Sequence, residues 1–106
     1  MKLSPENLQQ IKVYLAGKPI NKAYLFGSYS RNEADGNSDV DILVDLDYGQ
    51  HIGLGFVQMK LDLEQRLQKT VDLVSSQAVT KRLLPYINRD KKLIYESPAV
   101  NTSLHA

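Results

Sequence analysis

The sequence predicts an α/β layered domain with a small sheet, on three observations. Apolar residues at helical spacing alternate with short apolar or period-two runs, in the order helix, strand, helix, strand, helix, strand, helix. The 106 residues suffice for one domain with a modest core and leave no room for a second. The composition, 42% hydrophobic and 24% charged, is that of a globular chain and excludes a disordered one.

Each element has a local cause. Ser4-Pro5-Glu6 starts the first helix, with a capping hydroxyl, a proline at the first helical position and an acid near the positive dipole end. Leu8, Ile11 and Leu15 form its stripe, and Gly17 with Pro19 ends it. Ala23 to Phe26 reads as a strand entering a tight turn at Gly27-Ser28. Ser28 to Ala34 is expected to form a short helix before Asp35-Gly36-Asn37 breaks the chain. From Val40 to Leu46 the residues alternate, with Val40, Ile42, Val44 and Leu46 on one face and Asp39, Asp41, Leu43 and Asp45 on the other. Tyr48-Gly49 closes this strand, and a loop with Gly53 and Gly55 leads to a helix ending near Lys69. Its stripe is Phe56, Met59, Leu63 and Leu67, widened by Leu54, Val57 and Leu61. Val71 to Val74 is a third strand. Pro85 is expected to open a last helix running to about Tyr95, followed by a frayed tail from Ser97 to Ala106, so that the domain proper is 1–96.

Several function classes are excluded or disfavoured at once. Zero cysteines remove disulfide scaffolds, thiolate zinc sites and cysteine nucleophiles. No apolar run approaches the roughly 20 residues that span a bilayer, and the N-terminus lacks the features of a signal peptide, so a soluble, cytoplasmic chain without membrane contact is expected. A net charge of +1 gives no global attraction to nucleic acid, and direct binding to it is not expected. Charge is nonetheless segregated. Six of the twelve acids (Glu33, Asp35, Asp39, Asp41, Asp45 and Asp47) fall between positions 33 and 47 with no Lys or Arg among them. Lys81, Arg82, Arg89, Lys91 and Lys92 surround Asp90 alone, a stretch that most simply reads as a solvated face.

Three carboxylates on strands are the chemical signal. Asp39 and Asp41 are two apart and project from one face of an extended chain. Asp72, between Val71 and Leu73, is either an edge-strand charge against aggregation or part of the same cluster. Clustered carboxylates repel unless a cation lies between them, and hard divalent ions such as Mg²⁺ or Mn²⁺ suit oxygen ligands. Such sites serve phosphoryl and nucleotidyl transfer. Upstream, glycine at position 27 lets a phosphate approach the backbone, with the Ser28 hydroxyl and Arg31 as further donors. Other motifs fail on spacing. A calcium loop over Asp35 to Leu46 lacks its glycine and closing Glu, Gly53-Leu54-Gly55 is no dinucleotide fingerprint, and His51 and His105 stand alone. Asn101-Thr102-Ser103 is a glycosylation string without meaning in a cytoplasmic chain.

The string LFGSYSRNEADGNSDVDILV resembles the signature of the DNA polymerase beta-like nucleotidyltransferases: Gly-Ser, ten residues, then Asp-x-Asp, here Gly27, Ser28, Asp39 and Asp41. Gly-Ser-x-x-Arg and the chain length are most similar to minimal nucleotidyltransferase (MNT) domains, including MntA-like antitoxins of HEPN–MNT pairs. Asp72 matches the third acid, and the segment from Pro85 to Glu96 resembles the family's end. Asn32 stands where the family commonly has glycine after the arginine, and asparagine tolerates the same left-handed backbone.

The resemblance implies a small mixed sheet of polymerase beta palm type and a set of roles. Gly27, Ser28 and Arg31 would hold the β- and γ-phosphates of ATP, with Ser38 either a further phosphate contact or a capping residue. Asp39, Asp41 and Asp72 would bind two Mg²⁺ ions, Asp72 also helping to deprotonate the acceptor. It further implies AMP transfer to a tyrosine of a partner HEPN ribonuclease toxin, which binds this protein directly. The surface around Pro85 to Tyr95 is one candidate contact. Two alternatives are a transferase acting on a small-molecule hydroxyl and an antitoxin acting by binding alone.

Overall fold

The computed structural model describes residues 3–47 and 55–98. Helix α1 (Pro5–Leu15) is followed by β1 (Ile20–Phe26), β2 (Val40–Leu46), α2 (Gly55–Leu67), β3 (Val71–Ser75), α3 (Leu84–Asp90) and β4 (Lys92–Glu96). The four strands form one sheet in the order β3-β2-β1-β4. β1 is antiparallel to β2 and β4, whereas β2 and β3 run parallel and are joined through α2, so the sheet is mixed. No helix among the described residues is long and apolar enough to cross a membrane.

Helix α1 begins as its sequence dictates: the Ser4 side chain accepts from the Asn7 amide at 3.0 Å and Pro5 sits in the first turn. Its Ile11 and Leu15 meet Met59, Leu63 and Leu67 of α2 and Val40, Ile42, Val44, Val71 and Leu73 of the strands in the main core. Full burial of each of these larger side chains contributes about 1.5–3 kcal/mol. Leu43 and Ile87 are also buried but lie outside that cluster. The sheet thus has one face packed by α1 and α2, while the other carries the acids of β2 and β3.

Four expectations are corrected. No helix forms between Ser28 and Ala34. The segment is a run of overlapping turns between left-handed Gly27 (φ 74°) and Asn32 (φ 60°), in which the Ser30 and Asn32 amides donate to the Gly27 and Tyr29 carbonyls at 3.1 and 3.4 Å and the Arg31 amide is shared between the carbonyls of Gly27 and Ser28 at 3.3 and 3.2 Å. The last helix stops at Asp90, not Tyr95. Lys91 turns extended (ψ 139°), and Lys92–Glu96 becomes β4 on the open edge of β1. A short run such as Leu93-Ile94-Tyr95 can be helix or strand, and here the edge of β1 decides. Val57 and Leu61 do not widen the α2 stripe but are exposed on its outer side. The Ser97 amide still donates to the Asn21 carbonyl at 2.8 Å, so ordered pairing continues one residue past Glu96. Tyr48, Gly49, Gly53, Leu54, the two histidines, Asn101-Thr102-Ser103 and the tail expected beyond Pro98 lie outside the described residues.

Candidate active site

Strand pairing brings the acids together. In the parallel β2–β3 pair Asp41 is the register partner of Asp72, and Val40 and Ile42 are those of Val71 and Leu73. Partners across a parallel ladder share a face about 5 Å apart, so the two carboxyl groups project on the side opposite the main core. Asp39, one residue before β2 and two before Asp41, follows the same alternation. Asp39 and Asp72 are exposed and Asp41 is half-buried. The consequence is electrostatic. Burial, then the charges of Asp72 and Asp39, push the Asp41 carboxyl from 3.8 up to about 6, with Arg31 opposing them.

The Gly27–Ser28 turn abuts this group. Phe26 is the register partner of Asp41, so Gly27 begins the turn beside it. A Cβ placed on Gly27 would overlap Asp41 Oδ2 and lie 3.1 Å from its Cγ. Glycine is therefore required twice at position 27, by its positive φ and by the carboxylate that occupies the space of a side chain. Within the turn, the buried Ser30 donates its hydroxyl to the Gly27 carbonyl at 2.9 Å. The Glu33 amide returns to the Ser28 carbonyl at 2.9 Å. The Ser28 residue itself is half-buried.

The remaining expected residues are placed less simply. Arg31 points its Nε to Glu33 at 3.0 Å and its Nη1 to Asp90 at the end of α3. Ser38 Oγ accepts from the Asp35 amide at 2.9 Å and lies 3.3 Å from Asp35 Oδ1, which also accepts from the Asn37 amide at 2.8 Å. These bonds tie Ser38 into the loop just before Asp39. Ser30 and Asp90 were missed by sequence reasoning. Ser30 carried a weak signal, its place inside the Gly-Ser turn. Asp90 carried none, being 59 residues from Arg31 in a basic stretch.

The donor set suits a hard divalent cation: carboxylate oxygens only, from two adjacent strands, with one carboxyl held at an elevated pKa by burial and then by its neighbours. The side chains as placed do not close around one point. Among the described residues no three acidic or imidazole groups are gathered tightly enough to hold an ion. Backbone register supplies the juxtaposition, and rotation of the exposed Asp39 and Asp72 side chains would be needed to complete a cage.

Residues 9–99 match the family model described as "Polymerase beta, Nucleotidyltransferase". The chain belongs to this family. A relative from Methanocaldococcus jannaschii, named "Putative protein adenylyltransferase", is 40% identical over 60 residues, covering 57% of this chain and 63% of the relative. The chain thus spans under two-thirds of that relative's length. Among solved structures, a toxin–antitoxin crystal structure with AMP-PNP superposes with TM-score 0.71 at 23% identity, over 93% of this chain and 79% of the other. An MNT antitoxin in complex with a tri-AMPylated HEPN toxin of Shewanella oneidensis gives 0.64 at 22% identity, over 91% and 75%. These two likenesses show the nucleotidyltransferase fold. In this family member the Gly-Ser turn and the Asp-x-Asp strand are the neighbours that the β1–β2 register makes them.

Proposed function

We propose that this protein is a Mg²⁺-dependent protein adenylyltransferase, which moves AMP from ATP to a tyrosine of a HEPN ribonuclease toxin and so acts as its antitoxin. The observation that carries the reading is the register of Asp41 with Asp72 beside a glycine turn that has no room for a side chain. Family membership, a relative named for protein adenylylation and a structural neighbour that is an AMPylated HEPN complex support this reading. A cytoplasmic location belongs to this reading.

In this mechanism Gly27 offers close backbone approach, and Ser28 and Arg31 bind the β- and γ-phosphates. Asp39, Asp41 and Asp72 would hold the divalent ions, which would supply neutralisation of the triphosphate charge. Asp72, exposed on the strand edge, takes the proton from the tyrosine hydroxyl. The hydroxyl oxygen forms its bond to the α-phosphorus as the bond to the bridging oxygen breaks, and pyrophosphate leaves.

The test is transfer of label from α-labelled ATP to a co-expressed HEPN partner in Mg²⁺. Labelling is expected, with loss in EDTA and in Asp39→Ala/Asp41→Ala. Full toxin neutralisation by that double variant, without label transfer, would replace catalysis with binding alone.

A further inference from the structure

Arg31 is held between two acids that differ in kind. Glu33 lies on the same turn and its side chain is 65% exposed, so its pairing is screened by water and weak. Asp90 closes α3, 59 residues away, and its side chain is only 9% exposed. Both of its oxygens are engaged: Oδ2 accepts from Arg31 Nη1, and Oδ1 accepts from Arg89 Nε at 3.2 Å. A shielded carboxylate fixed at both oxygens is a directional anchor for a planar guanidinium. With Nε on Glu33 and one Nη1 hydrogen on Asp90, the second Nη1 hydrogen and both on Nη2 are, among the described residues, the donors left to meet an incoming anion. The held guanidinium is close enough to the acid cluster that its charge acts on Asp41.

We infer that Asp90 is a positioning residue for nucleotide binding: from the end of α3 it orients the Arg31 guanidinium beside the Gly27–Ser28 turn, ready for a triphosphate. This rests on the nucleotidyltransferase reading above. A preset arginine would not have to be ordered when the ligand arrives, which favours affinity over turnover. Glu33, being exposed, contributes little to the same task.

The experiment titrates the full chain and its variants with a fluorescent ATP analogue in Mg²⁺, below the melting temperature of each variant. Asp90→Asn is expected to weaken binding about tenfold, and to raise KM for ATP in label transfer by a similar factor with kcat nearly unchanged. Asp90→Glu, which keeps the carboxylate, should recover most of the loss, and Glu33→Gln should change binding less than about twofold. In an Arg31→Ala background Asp90→Asn should cost nothing further, because its partner is gone. Equal losses with and without Arg31 would overturn the inference by showing that Asp90 acts through the fold. Unchanged or tighter binding by Asp90→Asn alone would also overturn it, since the carboxylate would then mask the arginine. No nucleotide binding by the unsubstituted chain would instead remove the nucleotidyltransferase reading.

Discussion

The two faces of strands β2 and β3 are built from interleaved residues yet obey opposite rules. On one face Val40, Ile42, Val44 and Val71 are at most 1% exposed and pack under α1 and α2. On the other, Asp41 and Asp72 sit side by side, and burial with mutual repulsion drives the Asp41 carboxyl up to about 6. The first face stabilises the fold. The second costs stability and, under the proposed function, holds the chemistry, so substitutions one residue apart should act in opposite directions.

Asp41→Asn gives the largest contrast. Under the proposed function, in which Asp41 would hold a divalent ion, its loss is expected to lower AMP transfer by about a thousandfold or more. The same change removes the repulsion among the three acids. Without divalent cations and above pH about 6, where the carboxylate is ionised, the variant should be more stable by about 1 kcal/mol once solvent screening of a half-buried group is allowed for. For a domain of this size that is a rise of roughly 4–8 °C in melting temperature. A variant both inactive and less stable would show that the acidic face is not under electrostatic strain.

Ile42→Ala, the next residue, tests the opposite face. Its side chain is fully buried, and truncation should cost about 2–5 kcal/mol, read as a lower denaturant midpoint. Label transfer per folded molecule, measured at low temperature, should stay within a few-fold of the parent. A loss of transfer beyond the loss of fold would mean that the two faces are coupled through the strand.

Gly27→Ala falls between these cases. The substitution places a Cβ in the space of the Asp41 carboxylate and on a backbone at φ 74°. A cost of about 1–3 kcal/mol and a tenfold or greater fall in transfer are expected together. Gly27→Ala with normal transfer would mean that Asp41 can leave its position against the turn at no chemical expense.

The same contrast explains what the sequence disclosed. The acidic face was legible because a strand fixes its periodicity: Asp39 and Asp41 two apart, Asp72 in a second apolar run, and Gly-Ser at a turn are all local patterns. Asn32 was legible as a glycine substitute and does take φ 60°. Strand β4 was not, because Lys92–Glu96 acquires its state from the free edge of β1 and not from its own pattern. Val57 and Leu61 misled because apolar residues on an outer helix face look locally like a wider core stripe. The Arg31–Asp90 pair was invisible because nothing local links a turn to the end of a helix far along the chain.

The smallest expected effect lies on the packed side, where α1 meets α2. Tyr14 OH donates to Asp62 Oδ2 at 2.6 Å, and Lys18 and Arg66 each lie 4.8 Å from its ring centroid. Burial and the Asp62 contact raise the Tyr14 pKa, while the Tyr14 hydrogen bond, followed by that from Gln58, lowers the Asp62 pKa. A carboxylate depressed on folding adds stability that is present above its unfolded value of about 4 and fades as pH falls through its folded value. Tyr14→Phe keeps the ring and its cation contacts but removes the hydroxyl. It should cost about 0.5–1.5 kcal/mol at neutral pH and shrink toward nothing in strong acid, once Asp62 is protonated. Transfer should be unaffected, because the pair lies across the sheet from the acids. A melting-temperature difference between parent and variant that persists undiminished into strong acid would show that the hydroxyl acts through packing and not through the ionised Asp62.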